Sequence, residues 1–173
     1  MTGINLSAYG VDIGCDLGDA LLAINDIPGE FRIRFGSLEP DLLNVDIINK
    51  FTKCNKLCMH FHLALQSGSN SVLKRMNRKY TAEEYLQVTK NLRRVFPTCS
   101  FTTDVMVGFP GETDEEFNET VSLIKKVGFL RLHIFIYSPR HNTKAISLAN
   151  QVNPFISKTR ANILKELGTK LEK

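Results

Sequence analysis

The sequence predicts an α/β fold with parallel strands, on two observations. Segments of strand periodicity alternate with segments of helical periodicity, joined by short connections; parallel strands require such crossovers, and a helix supplies them. Polar residues, glycines and prolines collect at the strand ends, where doubly wound sheets and barrels alike place their sites. Periodicity does not separate those two architectures.

The elements follow in chain order. FRIRFGSL (31–38) pairs bulky apolar with short polar residues and reads as a strand, stopped by Glu39-Pro40 because proline disfavours helical backbone before it. NVDIINKFTK (44–53) places Val45, Ile47, Ile48 and Phe51 on one helical stripe behind Asn44 as cap. HFHLALQ (60–66) alternates His60, His62, Ala64 and Gln66 against Phe61, Leu63 and Leu65, a strand with one polar-to-small face. SNSVLKRMN (69–77) and TAEEYLQVTKNLRRVF (81–96) read as helices, the second opening with Thr81 and Glu84 at capping-box spacing. SFTTDVMVGFPGE (100–112) is a strand closed by a Gly-Phe-Pro-Gly turn, and TDEEFNETVSLIKKVG (113–128) a capped helix stopped by Gly128. FLRLHIFIYS (129–138) is a further strand, and 154–172 an amphipathic helix. By alternation Asp104 points inward with Met106 and Gly108 as a buried carboxylate, and His133, Phe135 and Tyr137 share one face.

Composition bounds the rest. With 173 residues, 43% hydrophobic, the chain is the size of one domain or a large piece of one. Its net charge of +4 is not gathered in a run, so a polyanionic partner is permitted and not required. Cys15, Cys54, Cys58 and Cys99 are too few and scattered for a disulfide framework, which favours reduced thiols in the cytoplasm. No apolar run approaches the roughly 18 residues that span a bilayer, and MTGINLSAYG lacks the pattern of a signal peptide.

Two stretches invite specific chemistry. CNKLCMHFH (54–62) brings Cys54, Cys58, His60 and His62 together, a donor set suited to zinc; the simpler reading is four residues leading into a strand and lining its face. GFPGE (108–112) is a glycine-rich turn before a helix, yet neither nucleotide-binding glycine pattern occurs and Pro110 removes an amide, so phosphate binding ranks low.

HFHLALQSGSNSVLKRMNRKYTAEEY, then TTDVMVGFPGETDEEFNET, then LHIFIYSPRHNTKA, in this order, resemble the catalytic barrel of the radical S-adenosylmethionine methylthiotransferases. The resemblance implies a partial TIM-like barrel of six strand–helix pairs, S-adenosylmethionine as cofactor, 4Fe-4S clusters in the full-length parent, and tRNA as partner. These enzymes place a methylthio group on carbon 2 of a modified adenosine in tRNA or on a ribosomal protein. RIRFGSLEP and TGINLSAYG look most like the branch acting on threonylcarbamoyladenosine at position 37. The family's cluster loop is C-x3-C-x2-C; Cys54 and Cys58 have the first spacing, but the third position is Phe61. The resemblance therefore implies that residues 1–173 are a barrel fragment without the first strand, the cluster loop, the preceding cluster domain or the following RNA-binding domain. Such a fragment is expected to be inactive alone and prone to self-association at its open edge.

Carried onto this sequence, the resemblance makes the strand tips the cofactor site. Asn5 is expected near the methionine amino group, with Ser37 and Glu39 at ribose hydroxyls or that amino group. Gln66 and Ser67 are expected at ribose or carboxylate, with Gly68 allowing close backbone approach. Arg78, and more weakly Lys74, would pair the carboxylate. Gly108 and Gly111 would offer bare backbone to adenine, with Phe109 or Tyr137 adding a face. The competing class is a non-catalytic barrel serving as a binding or scaffold module; cofactor binding separates the two.

Overall fold

In the computed structural model, which describes residues 1–3, 5–141 and 143–172, strands and helices alternate as the periodicity implies, and the strand pairings within each half are parallel. The chain divides into two units, Met1–Ala64 with Glu84–Phe101, and Leu65–Glu83 with Thr102–Lys173.

The first unit pairs β1 (Ser37–Leu38) with β2 (His60–Leu63), Ser37 opposite His62 and Leu38 opposite Leu63. The strand expected over 31–38 is thus confined to its last two residues, with a single parallel bridge from Ile33 to Leu57 before it. Before it, Gly36 N–H donates to the Met1 carbonyl at 2.8 Å, and the terminal amine donates to the Arg34 carbonyl at 2.7 Å. α1 (Leu17–Asn25) has no counterpart among the expected elements. Its start signal is present but carried by two aspartates: Asp16 accepts from Asp19 N–H and Asp19 from Asp16 N–H, each at 3.1 Å. α2 (Val45–Phe51) begins as expected, Asn44 Oδ1 accepting from Ile47 N–H at 2.9 Å. Lys50 Nζ joins the two helices, 2.7 Å from Asp16 and 2.6 Å from Asp19. Beneath them Phe61 packs against Phe35, Phe51, Phe96 and Phe101 with ring centroids 5.8–6.5 Å away. α4 (Ala82–Val95) covers this core and ties it to β2, Tyr85 donating its hydroxyl to the Leu63 carbonyl at 3.0 Å.

The second unit contains α3 (Asn70–Arg75), β3 (Ser100–Val107) from Thr102 onward, α5 (Asp114–Val127), β4 (Arg131–Ile136) and α6 (Pro154–Leu171). β3 and β4 run in parallel register from Thr102 opposite Arg131 to Val107 opposite Ile136, and α6 packs on β4. The strand expected over 60–66 ends its ladder at Leu63; Gln66 pairs separately, donating to the Asp104 carbonyl at 2.8 Å and accepting from Met106 N–H at 2.9 Å. α5 carries the capping box of Thr113 and Glu116 and ends at left-handed Gly128, as its pattern requires.

The turn after β3 is held from beneath. Glu112, 5% exposed, accepts from Gly108 N–H at 2.7 Å and from Arg160 Nη1 at 2.7 Å; Arg160, also 5% exposed, gives its other arm to Asp114 Oδ1 at 2.7 Å. Burial raises the Glu112 carboxyl above its ordinary range, against the lowering effect of the Gly108 amide and Arg160. Arg160→Ala strands that carboxylate, so a loss of about 3–5 kcal/mol is expected in denaturant melts at neutral pH. Without its partner the carboxyl binds protons more tightly folded than unfolded, so the variant regains stability as pH falls from neutral toward the ordinary carboxylate range, below which the unfolded chain is protonated too. A loss that does not shrink in acid would show that Glu112 is not the group left unpaired.

Candidate functional site

The carboxyl ends of the strands in the second unit converge on two adjoining cavities of about 510 and 400 Å³. Gln66, Arg75, Asn77, Arg78 and Lys144 line the larger; Phe135, Tyr137 and Arg140 line the smaller; Met106, Phe109, Thr143 and Ala145 serve both.

Local geometry explains how each side chain arrives there. Gln66 adopts φ +62°, a left-handed conformation that costs a non-glycine residue free energy and is maintained by its two backbone bonds to β3. α3 ends in a Schellman turn: Asn77 at φ +58° donates to the Lys74 carbonyl at 3.0 Å, and Arg78 N–H reaches the Leu73 carbonyl at 2.9 Å. That turn delivers Asn77 and Arg78 to the cavity wall. Arg75 is held rigid by a two-pronged pair to Glu116, at 2.9 and 2.6 Å, which raises its guanidinium and lowers the carboxyl. Phe109 and Tyr137 meet edge to face at 5.3 Å. The Tyr137 hydroxyl and Arg75 Nε are buried without a hydrogen-bond partner. Among the described residues, neither cavity is lined by Asp or Glu.

Of the expected site residues, Gln66, Arg78, Phe109 and Tyr137 are brought together here. Ser67 and Gly68 are not: Ser67 Oγ lies 3.2 Å from Thr120 Oγ1, and Gly68 N–H donates to that same oxygen at 2.9 Å. A Cβ on Gly68 would stand 2.6 Å from Thr120 Cα, so the close approach it permits is to α5 and not to a ligand. Gly108 is likewise taken up by protein, since a Cβ there would sit 2.8 Å from Ser157 Cβ of α6. Lys74 is exposed, and Asp104, expected to be buried, is half-exposed. In the first unit Asn5 is exposed before the 3-10 turn Leu6–Ala8, Ser37 is exposed, and Glu39 is half-buried with its N–H donating to Ser7 Oγ at 2.8 Å.

The cysteine–histidine stretch divides between structural tasks. Cys54 is buried with its thiol donating to Asn25 Oδ1 at 3.1 Å, and burial lowers His60 below the ordinary imidazole range. Phe61, where a third thiolate would stand, is a fully buried member of the aromatic core. These residues do not fit a three-thiolate iron–sulfur cluster. Arg75, Asn77, Thr143 and Lys144 escaped sequence reasoning because they lie on helix ends and loops, which carry no periodicity. Glu112 and Arg160 were missed because only folding unites them.

The Radical SAM superfamily profile matches residues 10–124. The chain belongs to the Radical SAM superfamily. It is 43% identical over 166 residues to the threonylcarbamoyladenosine tRNA methylthiotransferase MtaB of Thermotoga maritima, covering 96% of this chain and 38% of that protein. It is 41% identical over 162 residues to a tRNA-2-methylthio-N(6)-dimethylallyladenosine synthase of Alkaliphilus oremlandii, covering 92% and 34%. The chain thus spans little more than a third of the length of these relatives. Among solved structures, the radical SAM enzyme coproporphyrinogen III oxidase of Escherichia coli superposes with TM-score 0.65 at 19% identity over 80% of this chain and 34% of that one. Streptococcus suis SuiB bound to S-adenosylmethionine gives 0.58 at 15% identity over 98% and 34%. These likenesses establish the barrel-type α/β fold of the Radical SAM superfamily.

The second-unit cavities fit the superfamily's cofactor in size, in aromatic walls and in carrying buried donors without partners. Tyr137→Phe removes one such donor, and a buried unpartnered hydroxyl costs about 1–3 kcal/mol. The ligand-free variant is expected to melt higher than the parent protein; a lower melting temperature would mean that the hydroxyl already has a partner.

Proposed function

We propose that this chain is the cofactor-binding barrel segment of a tRNA methylthiotransferase that modifies carbon 2 of N6-threonylcarbamoyladenosine at position 37 of tRNA. The observation that carries the reading is the 43% identity to MtaB across 96% of the chain. The identity of 41% to a dimethylallyladenosine synthase makes the N6 substituent the open variable. In this reading the 4Fe-4S clusters are held by other parts of the full-length protein, whose setting is the cytoplasm. S-adenosylmethionine supplies the methyl group and the one-electron chemistry when bound.

The residues of this chain bind and orient. The Arg78 guanidinium meets the cofactor carboxylate with two parallel donors, a geometry that a lysine ammonium does not offer. Gln66 presents its amide to ribose hydroxyls or carboxylate from a backbone fixed on β3. Phe109 and Tyr137 form the apolar walls for adenine, and the Tyr137 hydroxyl gains a polar partner. Arg75, fastened to Glu116, stiffens the rim.

Titration calorimetry with S-adenosylhomocysteine tests this. Gln66→Ala and Arg78→Ala are each expected to weaken binding at least tenfold, about 1.4 kcal/mol. Ser67→Ala, whose hydroxyl is spent on Thr120, should change affinity by less than about threefold, within the weight of one neutral hydrogen bond acting indirectly. Absence of heat with the unaltered protein would return the reading to a non-catalytic scaffold.

A further inference from the structure

The cavities hold more positive charge than the cofactor can use. S-adenosylmethionine brings one carboxylate against an ammonium and a sulfonium, so it is itself a net cation. Arg75 is neutralised by Glu116, and Arg78 is assigned to the cofactor carboxylate. Arg140 and Lys144 remain, both lining the cavities, and among the described residues neither is engaged in an ion pair. One turn sets both, Thr143 donating to the Arg140 carbonyl through its hydroxyl at 2.7 Å and through its N–H at 3.3 Å. The Tyr137 hydroxyl, buried and unpartnered, lines the same smaller cavity as Arg140.

Resting on the functional reading above, we propose that Arg140 and Lys144 form an anion subsite for the carboxylate of the N6-threonylcarbamoyl group of the substrate adenosine. An RNA backbone phosphate is the competing candidate for these two exposed cations, and the cavities they border, walled by Phe109 and Met106, favour a ligand with an apolar body beside its charge. A dimethylallyl group is neutral and would leave both cations without a counter-charge. The subsite is therefore a specificity determinant: it favours the acidic substituent and rejects the apolar one.

The test uses RNA stem-loops carrying N6-threonylcarbamoyladenosine, its methyl ester, or unmodified adenosine. Each is titrated against the protein and the Lys144→Gln and Arg140→Gln variants by fluorescence anisotropy, with S-adenosylhomocysteine affinity measured alongside. The unaltered protein should bind the acid about tenfold more tightly than the ester. Lys144→Gln should erase that difference, leaving ester and S-adenosylhomocysteine affinities unchanged, with Arg140→Gln acting in the same direction. Equal binding of acid and ester overturns the subsite while the methylthiotransferase reading stands. So does an equal loss of both RNAs in the variants, which assigns the cations to phosphate, or a parallel loss of S-adenosylhomocysteine, which assigns them to the cofactor. Modified stem-loops bound no better than unmodified RNA defeat both readings together.

Discussion

The buried ion pair between Glu112 and Arg160 is the constraint on which the site depends. The Glu112 carboxylate takes the Gly108 amide and the Arg160 guanidinium at once, and Arg160 also reaches the Glu112 carbonyl at 3.0 Å. Phe109, which lines both cavities, lies between the two residues so fixed. A helix some fifty residues downstream therefore sets the position of an aromatic wall. Two charges removed from water contribute little net stability when paired, but the arrangement penalises any other conformation of the turn, because each alternative leaves a charge without a partner. Its worth lies in geometry.

The same economy explains why the glycines do not serve a ligand directly. Gly68 and Gly108 stand where α5 and α6 come within contact of the backbone, and a methyl group at either would collide with Thr120 or Ser157. They let helices close on the strand ends, and the space left beyond them is the candidate site. Gln66 and Asn77 are the complementary case: both hold positive φ without being glycine, and both line the larger cavity. Strain of this kind persists only when neighbouring bonds over-determine it, here the pairing of Gln66 with β3 and the Schellman turn after α3.

How much was legible follows from what each signal measures. α2 and α5 could be read because Asn44, and Thr113 with Glu116, announce their own caps next to an apolar stripe. α1 went unread although Asp16 and Asp19 cap it in the same way, because its apolar run sits among turn-forming glycines and aspartates. The strand over 31–38 was overestimated, since alternation reports which faces are buried and not which backbone groups find partners. Among the residues that line the two cavities, Gln66, Arg78, Phe109 and Tyr137 are ones the resemblance points to. Ser67 and Gly68 share their motif yet face α5, because the left-handed backbone of Gln66 (φ +62°) turns the chain away from strand alternation at that point.

Charge decides what the site can accept. In the proposed reading, a cavity wall carrying Arg140 and Lys144, neither in an ion pair among the described residues, disfavours a cationic cofactor unless something negative arrives with it. Arg75 does not add to that excess, because Glu116 cancels it at contact distance while locking its direction. On the proposed anion subsite, a substrate that brings its own carboxylate would complete the balance, so that cofactor and substrate would each bind more easily once the other is present. Such coupling needs no moving part: the counter-charge of one ligand lowers the electrostatic cost of the other, and by linkage the benefit is mutual.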